Sequence, residues 1–201
     1  MNAAHDAVVL AAGGSRRLGQ PKQLLMRDGE PLVRRVARLA AATLPRRMVV
    51  VTGAHREAVM HAVRGLDCDC IHNPDWERGL ASSLQIAAEA LSDRDNSVLV
   101  LGCDQPALEA AHLGSLLSGA RNATSGCAAT MHTGGAGIPA VVPGAWLQGL
   151  PPVGDRGLGL RLRALPIASL SLLQAPELEF DLDTAADVEQ ARLRGLLDLQ
   201  R

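Results

Sequence analysis

The chain has 201 residues, of which 47% are hydrophobic, 20% are charged and 1% are aromatic, and its formal net charge is −1. This length allows one sizeable hydrophobic core and is short for two, so we expect a single domain over residues 1–201. Without an excess of cations, or rings on which bases could stack, the composition argues against nucleic-acid binding. No apolar run approaches the roughly 18 residues that cross a membrane. A small-molecule ligand is therefore expected.

The N-terminus and the cysteines indicate a cytoplasmic protein. Residues 1–6 contain an acid and no cationic segment ahead of a brief apolar run, which is unlike a secretory signal peptide. The cysteines are too sparse for a disulfide framework and fit reduced thiols. Cys68, Cys70 and His72 alternate, so on a strand they would share one face and could imitate a metal site. Small thiols on a buried face need no ligand, and we favour that interpretation.

Short apolar runs and helical periodicity alternate through the N-terminal half. Strands are expected where aliphatic or β-branched runs are too short for a helix, at residues 7–10, 48–51, 68–72 and 98–101. Helices are expected where apolar residues recur at helical spacing, at residues 31–44, 55–63 and 82–91, and from Pro106 onward. This order predicts an α/β fold, a three-layer sandwich around a Rossmann-like, mostly parallel mixed sheet.

The C-terminal half departs from this alternation. Residues 124–152 are rich in glycine and in short β-like pieces, which predicts an antiparallel excursion or a substrate-binding lobe. A late strand is expected over residues 178–182. Thr184 is then expected to cap a last helix that runs toward Leu197.

The segment LAAGGSRRLGQPK, residues 10–22, has the chemistry of a triphosphate site. Gly13 and Gly14 follow the first predicted strand and let backbone N–H groups turn toward an anion without a Cβ in the way. Positive charge comes from the neighbouring cations Arg16, Arg17 and Lys22. An ordinary strand-to-loop turn with solvated cations is the alternative.

Two well-known phosphate loops do not fit this segment. A P-loop needs Ser or Thr after its lysine, whereas Lys22 is followed by Gln23. The dinucleotide fingerprint needs a helix that begins within the glycines, whereas glycine and proline keep this chain broken until Pro31. A Rossmann dehydrogenase is therefore disfavoured.

Carboxylates occur where a cation could be bound. Asp104 follows a buried strand, where its charge needs solvent, hydrogen bonds or a cation to offset desolvation. Asp181 and Asp183 would point to the same side of an extended segment, and Asp187 follows closely. Mg²⁺ bound to nucleotides commonly uses one or two carboxylates plus phosphate oxygens, so Asp104 and one member of this group suffice. Helix capping by the late aspartates is the alternative.

The loop matches every fixed position of the pattern LAAGxSxRxGxxK and so resembles nucleotidyltransferases with a glycosyltransferase-A-like fold. The segment NPDWERGLASSL, the DQP after the fourth predicted strand and a late DxDT make the chain similar to the molybdenum cofactor cytidylyltransferase family. These motifs extend from Leu10 to Val188. The resemblance implies a fold of the nucleotide-diphospho-sugar transferase type. It also implies transfer of CMP from CTP to the phosphate of molybdopterin, with release of pyrophosphate and with Mg²⁺ as cofactor.

The same resemblance implies roles for particular residues. About residues 1–120 would bind the nucleotide, and about residues 121–201 would bind the acceptor and complete the metal site. The catalytic set would be Arg17, Lys22, Asp104 and Asp183, with Mg²⁺ on Asp104 and Asp183. Nucleotide contacts would come from Leu10, Ala11, Ala12, Gly13, Gly14, Ser15, Lys22, Gly79, Ser82 and Ser83. Simple N-capping of a helix also explains the two serines.

Two later segments resemble the RGxP and GDxG stretches that the family associates with the acceptor. The implied acceptor residues are Gly137, Pro139, Gly154 and Asp155. Ala136 replaces the arginine of the first stretch, which removes one candidate phosphate clamp. Arg156 or Arg161 could compensate for it, as a hypothesis.

Ala12 bears on the nucleotide base. The sequence LAAG resembles the cytidylyl branch, whereas the guanylyl branch usually reads LAGG, so CTP is favoured over GTP. The alternatives are guanylyl transfer to the same cofactor, nucleotidyl transfer to a sugar or alditol phosphate, and a non-catalytic molybdenum cofactor carrier. A molybdoenzyme or accessory protein that receives the cofactor is a further expected partner.

Overall fold

The first strand is buried along its whole length and lies inside the sheet, with a strand paired on each side. All seven residues of β1 (His5–Ala11) are buried. Val9 packs into one hydrophobic cluster and Val8 packs into another. Alternate residues of a strand point to opposite faces, so a strand that is apolar on both faces needs cover on both. The computed structural model, which describes residues 4–91, 95–148 and 157–199, shows helices on both faces.

The main sheet is mixed and mostly parallel. A small hairpin, β2 (Met26–Arg27) with β3 (Glu30–Pro31), lies outside it. Besides β1 it contains β4 (Met48–Thr52), β5 (Asp69–His72), β6 (Ser97–Gly102), β7 (Cys127–His132), β8 (Gly135–Pro143) and β9 (Leu170–Gln174). The order across the sheet is β5-β4-β1-β6-β8-β7-β9. Only β8 runs antiparallel to its described neighbours, β6 and β7. The predicted α/β fold and the antiparallel excursion are confirmed.

Helices cover the sheet on both sides. They are α1 (Leu32–Ala41), α2 (Arg56–Ala62), α3 (Leu80–Leu91), α4 (Ala110–Asn122), α5 (Gly144–Gln148), α6 (Gly157–Arg163) and α7 (Ala185–Leu193). Buried side chains of α1, α2 and α4 join the cluster that contains Val9, and those of α3, α5 and α6 join the cluster that contains Val8. The predicted three-layer sandwich results. Within the described residues, no helix is both long enough and apolar enough to span a membrane.

Two predicted elements are wrong. Residues 178–182 form no strand, and the late strand is β9, which pairs in parallel with β7. Proline lacks the N–H of a sheet ladder and has a fixed φ, and Pro176 accordingly begins a 3₁₀ helix over Pro176–Glu179. The helix expected from Pro106 begins at Ala110, because Glu109 still has extended backbone with φ of −128°.

A third apolar cluster attaches the end of the chain to the loop that follows β1. It contains residues from both regions, Leu18, Leu25, Leu32, Leu182, Val188, Ala191 and Leu197. The carboxylate of Asp198 also accepts hydrogen bonds from the backbone N–H groups of Asp28 (2.8 Å) and Gly29 (2.9 Å). Residues 181–184 are thereby held beside the glycine loop.

Gly53, directly after β4, is expected to tolerate no side chain. A Cβ there would meet the carbonyl oxygen of Ala12, the Cβ of Trp76 at 2.8 Å and the Cβ of Ala12 at 2.9 Å. Gly53→Ala should therefore lower the free energy of unfolding by about 1–3 kcal/mol, measured by chemical denaturation. The control is Gly114→Ala, since Gly114 is an exposed helical position with open space around its Cβ. This control should raise stability by up to about 1 kcal/mol. Equal effects of the two substitutions would contradict the packing.

Candidate active site

A cleft of about 530 Å³ lies where β1 and β6 end. These neighbouring strands are parallel, so the segments that follow them emerge at the same edge of the sheet. The segments that follow β1 and β6 both line the cleft. The lining residues are Leu10, Ala12–Arg17, Lys22, Gln23, Trp76, Glu77, Gly79, Leu80, Ser83, Gly102–Asp104, Ile138, Leu182 and Asp183.

The glycine loop is held by a buried glutamine that sequence reasoning missed. The side-chain amide of Gln23 donates to the carbonyl of Gly13 (2.6 Å) and to that of Ala11 (3.2 Å). Gln23 is 1% exposed. The hydroxyl of Ser15 accepts from the backbone N–H of Lys22 (3.0 Å), which closes the loop on itself. The loop is therefore shaped before any ligand binds.

Trp76 forms a second wall against the loop. A Cβ on Gly14 would lie 2.7 Å from Cη2 of the Trp76 indole, so the ring requires a glycine at this position. The guanidinium of Arg16 lies 5.4 Å from the ring centroid and also pairs with Glu77. The sequence motif around Trp76 includes Glu77, but the sequence alone predicts no role for either residue. The sequence feature that could have indicated a role for them is an aromatic residue, a type that is rare in this chain, within a segment that matches a family motif.

The predicted cations and carboxylates meet in the cleft. The ammonium of Lys22 lies 2.8 Å from a carboxylate oxygen of Asp104 and 3.4 Å from one of Asp183. Arg17 pairs with Asp183 at 2.7 Å. Burial lowers the pKa of Lys22, but the attraction and hydrogen bonds of the two carboxylates outweigh it and raise the pKa above its ordinary value. Lys22 is therefore charged at neutral pH.

Backbone geometry fixes both carboxylates. A Cβ on Gly102 would lie 2.6 Å from Oδ1 of Asp104, so glycine leaves the room that the carboxylate uses. Thr184 caps α7, as predicted, and forms a capping box with Asp187. The carboxylate of Asp187 also accepts from the backbone N–H of Asp183 at 3.2 Å. The same turn thus caps α7 and positions Asp183.

The pair Asp104 and Asp183 fits a divalent cation. Both carboxylates already approach one positive group, the ammonium of Lys22. Over the described ranges no cluster of three or more His, Cys, Asp or Glu side chains could hold a metal. The protein therefore offers two carboxylates, which suits an Mg²⁺ ion that takes its other ligands from phosphate and water.

The alternating Cys68, Cys70 and His72 form no such cluster within the described structure. They lie on or beside β5, an edge strand of the sheet. Burial, with a smaller effect from Cys70, raises the pKa of the Cys68 thiol to about 12. A neutral thiol is a poor metal ligand.

A second cavity, of about 330 Å³, adjoins the first. Both cavities are lined by Asp104 and Ile138. The other lining residues of the second cavity are Gln105, His132, Thr133, Gly134, Glu179 and Asp181. Together with Asp104, the described lining of this cavity has three carboxylates and no Lys or Arg. Desolvation, with the negative charges of Asp104 and Asp183, raises the pKa of Asp181 to about 7.

Ile138 lines both cavities, and hydrogen bonds to its carbonyl hold its backbone in place. Its carbonyl accepts from Nε2 of His132 (2.8 Å) and from the amide of Gln105 (3.3 Å). A Cβ on Gly137 would lie 2.9 Å from the His132 ring, so this glycine makes room for the ring. The carbonyl of Pro139 accepts from the hydroxyl of Thr130 at 2.8 Å. Gly137 and Pro139, predicted to bind the acceptor, instead line neither described cavity, and their neighbour Ile138 lines both.

Some predicted nucleotide-binding residues are also displaced from the cleft. Ala11 belongs to the hydrophobic cluster that contains Val9, on the face of the sheet that points away from the cleft. The hydroxyl of Ser82 lies 2.8 Å from the carbonyl of Gly79 and accepts from the amide of Asn73, so this serine holds a turn. Arg161 hydrogen-bonds the carbonyl of Trp146 and lies over its ring, which argues against its hypothetical role in the acceptor site.

The remaining predicted residues divide into two groups. Those that line the cleft as expected are Leu10, Ala12, Gly13, Gly14, Ser15, Arg17, Lys22, Gly79, Ser83, Asp104 and Asp183. Gly154, Asp155 and the hypothetical Arg156 lie outside the described residues.

The chain is similar in sequence to known proteins of one family. Residues 7–166 match the family described as the MobA-like NTP transferase domain. Nicotine blue oxidoreductase of Paenarthrobacter nicotinovorans is 36% identical over 111 residues, 55% of this chain and 54% of that protein. A probable molybdenum cofactor guanylyltransferase of Pyrococcus horikoshii is 37% identical over 103 residues, 51% and 49% of the two chains. The chain thus spans about half the length of these curated relatives.

A solved structure extends the likeness to nearly the whole chain. Rv0371c from Mycobacterium tuberculosis superimposes with a TM-score of 0.77 at 23% identity, covering 94% of this chain and 98% of that one. At this identity the likeness shows a shared fold. A complex of Rv0371c with manganese has the same fold, with a TM-score of 0.72 at 22% identity over 93% of this chain and 97% of that one.

Gln23→Ala should weaken the loop. It leaves the carbonyls of Ala11 and Gly13 without the side-chain donor, at a cost of about 1–3 kcal/mol in unfolding free energy. Affinity for a nucleoside triphosphate, measured by calorimetry, should fall with it. The control is Gln190→Ala on the exposed face of α7, which should change stability by less than about 0.5 kcal/mol. Unchanged triphosphate affinity in Gln23→Ala would show that Gln23 supports the fold without shaping the binding loop.

Proposed function

Because the chain belongs to the family of MobA-like NTP transferase domains, we propose that it is a nucleotidyltransferase that moves CMP from CTP to the phosphate of a molybdopterin-type cofactor. Pyrophosphate is the second product. The observation that supports this proposal best is the cleft in which Arg17 and Lys22 of a glycine loop meet the carboxylates of Asp104 and Asp183.

Each part of the cleft has a task in this reaction. Arg17 and Lys22 neutralise the triphosphate, and Gly13 and Gly14 let it approach the backbone closely. Asp104 and Asp183 hold a divalent ion, for which we propose Mg²⁺. When bound, that ion supplies positive charge at the phosphate that is transferred. The manganese complex of the structural neighbour Rv0371c supports a divalent ion in this fold.

The second cavity suits the acceptor. It shares Asp104 and Ile138 with the cleft, so an acceptor bound there would lie next to the phosphate chain. An acceptor phosphate is already anionic and needs no strong general base. The carboxylates of Glu179 and Asp181 can accept hydrogen bonds from N–H groups, which a pterin ring offers in plenty. This acidic lining supports recognition through the ring rather than through the acceptor phosphate.

The choice of CTP over GTP depends on Ala12. Its side chain is buried and lines the cleft, where a methyl group narrows the space left for a base. A pyrimidine needs less room than a purine. The name of the Pyrococcus horikoshii relative favours GTP instead, so guanylyl transfer to the same cofactor is the main competing reaction.

The identity of the acceptor and the presence of activity are also open to test. Transfer to a sugar or alditol phosphate would use the same nucleotide half of the site. A non-catalytic cofactor carrier would not need a pair of carboxylates that face two loop cations, so the ion-pair network argues against a carrier. A relative named as an oxidoreductase gives a further reason to test activity directly.

Pyrophosphate release decides among these reactions. The protein is incubated with Mg²⁺ and molybdopterin cofactor, with CTP and GTP at equal concentration in parallel reactions. Release with CTP supports the proposal, and preference for GTP indicates guanylyl transfer. Release only when a sugar or alditol phosphate replaces the cofactor would overturn the acceptor, and no release with any combination would overturn nucleotidyl transfer.

Asp104→Asn should fold normally and lose activity. Removal of one electrostatic group at a transferring phosphate commonly costs about 3 kcal/mol, so kcat should fall about 100-fold or more. Asp67→Asn is the control, because Asp67 is exposed and lines a cavity that shares no residue with the cleft. Turnover like that of the wild type in Asp104→Asn would remove this residue from the mechanism.

Ala12→Gly should change the base preference. Loss of the methyl group widens the cleft, and the ratio of kcat/KM for GTP to that for CTP should rise about tenfold. Ala11→Gly provides the matched control, because its side chain lies in the core on the other face of the sheet. This control should lose stability without a change of preference. An unchanged ratio in Ala12→Gly would end the case for CTP that rests on this residue.

A further inference from the structure

Lys22 has a second role, which follows from its position between Asp104 and Asp183. We infer that in the nucleotide-free protein this lysine blocks the metal site, and that it must move onto the triphosphate before the two carboxylates bind a divalent ion. The inference deepens the proposed function and rests on it, since it assumes that these carboxylates are the metal ligands.

Geometry supports the competition. One ammonium contacts both carboxylates, at 2.8 Å and 3.4 Å, and its side chain is only 19% exposed. Arg17 takes a further oxygen of Asp183 at 2.7 Å. Mg²⁺ binds carboxylate oxygens at about 2.0–2.1 Å. An ammonium in hydrogen-bond contact with the same oxygens would lie against the ion, and two cations at that separation repel strongly.

Charge balance explains why the nucleotide relieves the block. With no ligand bound, Lys22 and Arg17 neutralise Asp104 and Asp183, and an added ion brings positive charge to a site that is already compensated. A triphosphate supplies anionic oxygens for both loop cations and completes the coordination of the ion. Metal and nucleotide therefore each raise the affinity for the other by the same factor, as linkage requires.

Arg16 in the same loop provides a control for Lys22. Arg16 has the same charge as Lys22 and lines the same cleft, but it pairs with Glu77 and lies over Trp76. Removal of Arg16 takes a positive charge from the loop without freeing a metal carboxylate. The two substitutions therefore separate direct competition at the carboxylates from a general change in electrostatic field.

The test measures Mn²⁺ binding without nucleotide, by titration calorimetry and by the electron paramagnetic resonance signal of free Mn²⁺. Lys22→Met should bind Mn²⁺ about tenfold more tightly than the wild type, within the usual range of coupling between sites. Arg16→Met should differ from the wild type by no more than about twofold. Adding Asp104→Asn to Lys22→Met should abolish the gain.

A methylene-bridged CTP or GTP analogue then tests the release of the block. It should tighten Mn²⁺ binding to the wild type about tenfold or more, and tighten it much less in Lys22→Met. Lys22→Gln provides a second variant should Lys22→Met unfold, and circular dichroism checks the fold of each.

The outcomes separate this inference from the proposed function. Mn²⁺ affinity in a folded Lys22 variant equal to or below that of the wild type would overturn the inference, as would an equal gain in Arg16→Met. A gain confined to the Lys22 variants, in a protein that releases no pyrophosphate with any donor, would support the blocked metal site and overturn only the proposed reaction.

Discussion

The ion pairs of Lys22 with Asp104 and Asp183 are the interaction on which the site depends. They join a loop after the first strand, a turn after β6 and a segment ahead of the last helix. Each group alone would be costly in this partly buried position, and together they compensate one another. The network keeps Lys22 protonated, brings two carboxylates to one point and places both beside the glycine loop.

Apolar packing makes this meeting of charges possible. The parallel pairing of β1 and β6 brings two of the segments to one edge of the sheet. The third segment reaches that edge because Leu182 and Val188 pack with Leu18 from the loop. Gly14, Gly53 and Trp76 then fix the wall of the cleft, since the indole of Trp76 packs where a side chain on Gly14 would lie and the Cβ of Trp76 lies where one on Gly53 would. The chemistry of the cleft is thus positioned by close packing behind it.

The two halves of the site differ in charge, and this difference organises the proposed reaction. The nucleotide side carries loop cations that are paired with carboxylates, whereas the described wall of the acceptor side carries Asp104, Glu179 and Asp181 without a paired Lys or Arg among its lining residues. Asp104 and Ile138 belong to both sides. A phosphate chain is therefore favoured on one side of Asp104, and a ring with N–H donors is favoured on the other.

The choice of Asp183 among the late aspartates rests on the family resemblance. Local sequence signals were enough to predict the fold class, the glycine loop with its cations and a carboxylate at Asp104, because strand length, glycine spacing and charge type are local properties. They could not show that Gln23 holds the loop or that Trp76 packs on Gly14, because neither contact has a local signal. These signals also predict a strand over residues 178–182, which is wrong. They cannot show that β9 pairs with β7 and so forms the edge of the sheet instead. Side-chain direction was likewise a tertiary outcome. Ala11 and Ala12 are adjacent, yet Ala11 packs in the cluster that contains Val9, whereas Ala12 packs in the cluster that contains Val8 and also lines the cleft.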